Sequence, residues 1–253
     1  MTSPSAGAQP RHRPRITHLV LVDGLPADHW VEEVADLAHD SRPWGGLLLG
    51  RGRAPTSRAD QRQQEIDWLE ALVGGPEALL ALDGLPLERR ALEVPEMGPE
   101  LTERALAIAA DAQRLAVEVF DDEELRLAVA RLWEALLVTD RAMLARSARD
   151  DTAVGALVWA VAQANGLLGP EGRLLARDLW PRLGVPASAA GRGSALLERL
   201  APGTAHLAAP SGAPRLRPTG RPDALLAPVR TLLVARRDDL ADVSPGPAAG
   251  SSR

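Results

Sequence analysis

The chain has 253 residues, a net charge of −5, and 45% apolar and 25% charged side chains. This length allows one large domain or two small ones, each with a hydrophobic core. The chain contains neither cysteine nor lysine, which excludes disulfides, thiolate metal sites, Schiff-base lysines and the P-loop lysine. No apolar run approaches the ~20 residues that span a bilayer, so we predict a cytoplasmic protein without a membrane partner. The abundant Arg, Ala, Gly and Pro are typical of a GC-rich bacterial genome.

The N-terminal part has the pattern of a small α/β layer over residues 16–92, after a disordered polar leader at residues 1–15. Its β-branched and apolar run at 16–22 predicts a strand, and 44–50 predicts a second one. Pro26 suits the first turn of a helix running to Asp40. A further helix is predicted from Ser57, as N-cap, to the pair Gly74 and Gly75.

A Pro-rich joint at residues 93–98 predicts a domain boundary. A helical domain is expected over 99–200, since apolar residues recur there every three or four positions in two stripes, interrupted at Asp121 and Asp122. The first stripe is Leu101, Ala105, Ile108, Ala112, Leu115 and Val119; the second is Leu125, Val129, Leu132, Leu136 and Met143.

Residues 152–169 are apolar on nearly every side, which predicts a central buried helix. After it, residues 201–240 are expected to form an Arg-rich loop and a last helix, followed by a disordered tail at 241–253. The predicted fold is therefore mainly α: a helical bundle ending in a helix-turn-helix-like pair, with the small N-terminal α/β layer.

The segment 176–200 is that helix pair. Leu179, Leu183, Gly184 and Val185 fit the first half of a helix-turn-helix, which needs apolar anchors and a glycine at the turn. The second half fits less well. Pro181 is expected to interrupt the first helix, and two glycines, Gly191 and Gly193, weaken the second by about 1 kcal/mol each relative to alanine.

These residues also support a resemblance. The stretch from Gly155 to Leu200 resembles the second half of a cyclin-like repeat of the transcription-factor-IIB kind. It is also similar to an uncharacterised bacterial domain family in which a Trp-Ala helix with a downstream Asn precedes a helix-turn-helix. The resemblance spans residues 101–200, with Trp159, Ala160, Asn165 and Leu167 as its key positions. It implies a module that binds DNA or protein rather than an enzyme.

The leading hypothesis is a non-enzymatic, transcription-associated protein that binds double-stranded DNA. Phosphates would be contacted by arginines near the helix pair and by arginines of the Arg-rich loop, which would act as a flexible arm. Ser188 and Arg192 would contact bases. The acidic region 93–124 must then lie on the opposite side. The DNA-contacting candidates are Arg173, Arg177, Ser188, Arg192, Arg199, Arg215, Arg217 and Arg221.

Two alternatives stay open. In the first, the helix pair only closes the core and the chain is an adaptor that binds another protein. The second is an enzyme or phosphate binder that uses Asp23, His29 and Arg51. The histidines and aspartates around residues 18–40 lack a metal-binding spacing, and the glycines of 47–57 lack the P-loop and dinucleotide-loop motifs. We therefore predict no catalytic residue, cofactor or metal.

Overall fold

The computed structural model describes residues 15–22, 25–33, 58–146, 149–204, 207 and 209–242. The chain divides into two compact units, Met1–Ala54 and Pro55–Arg253. The predicted domain boundary at 93–98 lies inside the second unit. Residues 58–92 therefore belong to the same compact unit as the helices that follow them.

The first unit contains an antiparallel hairpin of β1 (Arg15–Val22) and β2 (Leu25–Glu33), with Val22 paired to Leu25. The strand predicted at 16–22 coincides with β1. Where the sequence predicts a helix from Pro26, the structure has β2. The reason is local: the two residues between the strands are Asp-Gly, a pair strongly favoured in two-residue hairpin connections. The predicted strand at 44–50 and the Ser57 cap lie outside the described residues.

The second unit is helical over its described residues, and the predicted mainly α fold is confirmed there. Its α-helices are α1 (Arg58–Val73), α2 (Pro76–Leu80), α3 (Pro99–Phe120), α4 (Glu123–Thr139), α5 (Ala142–Arg146), α6 (Asp150–Ala164), α7 (Ala176–Leu183), α8 (Ala189–Leu200) and α9 (Ala227–Asp242), with a 3₁₀ turn at Pro222–Ala224.

The junction between α3 and α4 lies where the sequence predicts it. Asp121 ends α3 in the left-handed conformation, with φ of 51°. Asp122 then caps α4: its Oδ1 accepts the N–H groups of Glu124, at 3.0 Å, and Leu125, at 3.2 Å. Both aspartates therefore have structural roles at this turn.

Helix α6 is the centre of the larger core, as its sequence predicts. Side chains from Ala153 to Ala162 are buried, and α3, α4 and α8 pack around the helix. A second, smaller core joins α1, α2, α9 and the loop before α9, with Trp68, Leu72 and Leu233 at its centre.

Helix α4 differs from the amphipathic helix that its stripe predicts. It is buried on nearly all sides, because α3, α6, α8 and the 3₁₀ turn pack against it and the segment after α2 bonds to it through the N–H groups of Leu87 and Glu93. There Glu134 accepts hydrogen bonds from the guanidinium groups of Arg90 and Arg131 and from the N–H of Glu93. A paired, fully hydrogen-bonded charge of this kind is tolerated inside a fold.

None of the helices in the described part of the chain combines the length and apolarity needed to cross a membrane.

Candidate nucleic-acid interface

The helix pair α7–α8 forms as the glycine turn predicts. Helix α7 buries Leu179 and Leu183, and Gly184 ends it at φ of 65°, with its N–H donating to the Trp180 carbonyl. Val185 follows and is buried against α6. Pro181 does not interrupt α7, contrary to the sequence expectation. The helix continues to Leu183 because a proline there removes one backbone hydrogen bond on an exposed side.

The contact between α8 and α6 explains Gly193. A Cβ at this position would lie 2.4 Å from Cε3 of Trp159 and 2.9 Å from the Ala156 carbonyl oxygen. Glycine is therefore the residue that allows the two helices to approach this closely. A Cβ at Gly191, by contrast, would have open space around it, with no such contact within 4 Å.

The solvent-facing side of α8 offers little to a DNA groove. Its exposed residues are Gly191, Ala195, Glu198 and Arg199, and the Arg199 guanidinium forms an ion pair with Asp140. Ser188 is exposed just before the helix and makes no capping hydrogen bond. Arg192 is half-buried beside Arg104 and Asp150. Burial, and secondly the positive charge of Arg104, lower the pKa of Arg192 from its ordinary value.

Most of the other candidate arginines are also paired with aspartates. The paired arginines are Arg173 with Asp122 at 3.1 Å, Arg177 with Asp178 at 3.6 Å, and Arg221 with Asp223 at 2.9 Å. Hydrogen bonding to Asp223 raises the pKa of Arg221. These pairs neutralise charge that the DNA hypothesis assigns to phosphate contacts.

Charged residues of both signs surround the turn itself. A groove of about 270 Å³ beside it is lined by Asp111, Arg114, Asp150, Asp151, Gly184 and Val185, among others. The Arg149 guanidinium, 2.5 Å from Asp151, lowers the pKa of that carboxyl to about 2, so Asp151 is ionised at neutral pH. Asp111 and Asp150 are likewise paired, with Arg114 and Arg104, so a phosphate brought to the Gly184 turn would have to compete with carboxylates for these arginines.

The Arg-rich loop is anchored, whereas the sequence suggested a flexible arm. Leu216 is buried in the smaller core, the N–H of Arg217 donates to the Gln163 carbonyl at 3.3 Å, and Thr219 Oγ1 donates to the Leu72 carbonyl at 3.3 Å. The side chain of Arg215 is exposed and that of Arg217 is half-buried. Within the described residues, neither guanidinium has an ion-pair or hydrogen-bond partner.

A larger cleft lies elsewhere, between the start of α1 and the end of α9. It has a volume of about 680 Å³ and is lined by Arg62, Glu65, Arg236 and Asp239, among others. Arg236 pairs with Glu65 at 2.6 Å, and Arg62 Nη2 donates to the Leu240 carbonyl at 2.9 Å. These contacts join α1 to α9.

The enzyme hypothesis rests on Asp23, His29 and Arg51, whose side chains lie outside the described part of the chain. Over the described residues, no group of three His, Asp or Glu side chains is arranged to hold a metal ion.

Sequence reasoning missed the polar side chains that join distant segments. Asn165 is marked by the resemblance only as a motif residue. Its side chain, at the end of α6, forms hydrogen bonds with the Ala224 carbonyl and the Leu226 N–H. Glu124 accepts the N–H groups of Leu87, at 2.8 Å, and Ala227, at 3.1 Å. Partners separated by 37 to 103 residues leave no local pattern in the sequence.

Comparisons with protein-family models, with curated proteins and with solved structures found no match to this chain.

Proposed function

We propose that the chain is a non-enzymatic binding protein whose partner is another protein, and that the α7–α8 pair closes the helical core. The observation that supports this most is the solvent side of α8. Its exposed positions carry two small residues, a glutamate and an arginine already paired with Asp140. A helix that reads bases needs polar or cationic side chains on that side.

Electrostatics supports the same proposal. Specific DNA binding draws much of its affinity from cations that neutralise phosphates. Arg173, Arg177, Arg199 and Arg221 each have an aspartate partner within the chain. A phosphate would have to compete with these carboxylates, and each surface pair is worth up to about 1 kcal/mol.

A second candidate is weak, sequence-independent DNA binding through the Arg-rich loop. The observation that favours it is the pair Arg215 and Arg217, which flank buried Leu216 and have no acidic partner among the described residues. Two phosphate contacts would give a salt slope of roughly −2 in a plot of log K against log salt.

Fluorescence anisotropy on a random-sequence duplex, at several salt concentrations, separates these proposals. If the partner is a protein, the dissociation constant for the duplex at about 150 mM salt lies above roughly 10⁻⁴ M, the weak limit for non-specific DNA binders. The test variants are Arg192→Glu and the double variant Arg215→Glu, Arg217→Glu, and Arg89→Glu is the control because its exposed side chain lies outside both surfaces. Micromolar binding that only the double variant removes would establish the second candidate. Binding that Arg192→Glu removes would instead assign DNA contact to α8.

A further inference from the structure

The segment between α2 and α3 is attached to the helices almost entirely through side chains. From Asp83 to Met97 it contains neither helix nor strand, and within the described residues none of its hydrogen bonds joins two backbone groups. None of its residues is fully buried. We call residues 83–97 the strap. Its half-buried side chains on the larger core are those of Leu87, Leu92, Val94 and Met97.

The first part of the strap is held by Glu124 of α4 and Arg230 of α9. The Glu124 carboxylate accepts the Leu87 N–H at 2.8 Å. It also accepts the N–H of Ala227, the first residue of α9, at 3.1 Å. Arg230 Nη2 donates to the Leu85 carbonyl. One carboxylate and one guanidinium therefore join the strap to both helices.

The middle of the strap is held by Arg131 and Glu134, one turn apart on α4. Glu134 accepts the Glu93 N–H at 2.7 Å and pairs with the Arg90 guanidinium at 2.6 Å. Arg131 Nη2 donates to the Glu88 carbonyl at 3.1 Å. The side chains of Arg131 and Glu134 are only 4% and 9% exposed, although Glu88, Arg90 and Glu93 are all exposed. A solvent-facing segment therefore covers a buried ion pair.

The groups under the strap lower the free energy that is needed to lift it. A buried ion pair gains little net stability over its hydrated state, and Arg131 and Glu134 recover their hydration when the strap leaves them. Arg230 Nε is buried without a hydrogen-bond partner among the described residues, so it gains access to water when Leu85 moves away. The strap itself has no fully buried apolar side chain whose exposure would oppose opening.

We propose that the strap opens as one cooperative unit while the helices stay folded, and that it controls access to one side of α4. Leu127, Arg131 and Glu134 share that side, being spaced by four and three residues. Val138, four residues further on and 69% exposed, extends it. In the closed state the strap covers Arg131 and Glu134, and in the open state both charges face solvent. The inference goes beyond the proposed function, since it holds for either class of partner.

Native-state amide hydrogen exchange of the full chain, followed by NMR, tests this proposal. The N–H groups of Leu87 and Glu93 report on the strap, since each donates to a carboxylate of α4. The N–H of Val158, in the buried centre of α6, reports on unfolding of the helices. Exchange is measured at several low urea concentrations, because the urea dependence scales with the surface exposed on opening.

Two neighbouring arginines supply the test variant and its control. Arg90→Gln removes the ion pair with Glu134 from the strap side. Arg89→Gln is the matched control, because Arg89 is exposed and its side chain makes no ion pair or hydrogen bond within the described residues. Both substitutions change a side chain on the surface, so the helical core should fold as in the wild type.

The expected result in the wild type is one opening reaction shared by both strap amides. After correction for intrinsic rates, Leu87 and Glu93 should exchange within about threefold of each other, and at least about tenfold faster than Val158, with a smaller urea dependence. Arg90→Gln should accelerate both strap amides at least about fivefold, because it removes a bidentate charged contact. Arg89→Gln should change them by no more than about twofold.

Three outcomes would overturn the proposal. Strap amides that exchange as slowly as Val158, with the same urea dependence, would mean that the strap opens only when the helices unfold. Acceleration by Arg90→Gln at Glu93 without acceleration at Leu87 would mean two separate contacts instead of one unit. Strap amides that exchange at the rate of an unprotected peptide would mean that the contacts with Glu124 and Glu134 do not hold the strap in solution.

Discussion

Asn165 offers the sharpest test of how the unit is held together. It is buried at the end of α6, where its Nδ2 donates to the carbonyls of Val161, at 2.9 Å, and Ala224, at 3.0 Å. Its Oδ1 accepts the N–H of Leu226 at 2.7 Å. Asn165→Ala removes both bonds to the 224–226 segment, whose residues Ala224 and Leu226 are buried.

The size of the effect follows from the groups left without partners. Each buried polar group that loses its hydrogen bond costs about 1–3 kcal/mol, so two of them cost about 2–6 kcal/mol of unfolding free energy. With a urea m-value of about 2–3 kcal/mol/M for a unit of this size, the unfolding midpoint should fall by roughly 1–3 M.

Urea unfolding followed by circular dichroism measures this shift. Gln163→Ala is the matched control, because it lies in the same turn of α6, is half-buried, and has no side-chain hydrogen bond within the described residues. It should change the free energy by no more than about 0.5 kcal/mol. A shift for Asn165→Ala as small as that of the control would refute the role of Asn165 in joining the two segments.

Three further predictions concern packing, buried charge and pH. Gly193→Ala should destabilise the fold by about 1–3 kcal/mol through its clash with Trp159. Gly191→Ala, in open space on the same helix, should stabilise the fold by about 0.5–1 kcal/mol. Thermal unfolding of both variants measures these changes. Changes in stability of the same sign for the two variants would contradict the α6–α8 packing. Glu134→Ala leaves Arg131 buried without its partner and should cost about 3–5 kcal/mol in urea unfolding, against no more than about 0.5 kcal/mol for exposed Glu123→Ala. The folded-state pKa of Asp151 lies below its ordinary value of 3.8, at about 2. Its pairing with Arg149 therefore stabilises the fold above pH 3.8 and is lost as the pH falls through about 2. Carboxyl NMR titration should show that midpoint in the wild type and a return towards 3.8 in Arg149→Ala; an unchanged midpoint in that variant would rule out Arg149 as the cause.

The helices were largely predictable because they carry local signals. The stripe of α3, the aspartates between α3 and α4 and the apolar sequence of α6 each act within a few residues. Around Pro26 the sequence carries two opposing local signals: the spacing after Pro26 favours a helix, and the Asp-Gly pair before it is typical of a two-residue connection in a hairpin such as β1–β2.

The candidate interface was less predictable, because pairing between distant residues decides whether an arginine is available. Nothing local in the sequence indicates that Arg199 pairs with Asp140 or that Arg173 pairs with Asp122. Likewise, the glycine count of α8 predicts a weakened helix, and only the contact with Trp159 shows why Gly193 suits its position. Packing also decides which leucines of residues 79–85 are exposed, since Leu79 and Leu82 are buried whereas Leu80 and Leu85 are not.

Amide hydrogen exchange of α8, with and without a large excess of random-sequence duplex at low salt, tests the central claim most directly. If α7–α8 closes the core against α6, exchange across residues 189–200 stays the same when DNA is added. Slower exchange confined to the turn at Gly184 and the first two turns of α8 would contradict the claim, and would place DNA on this helix.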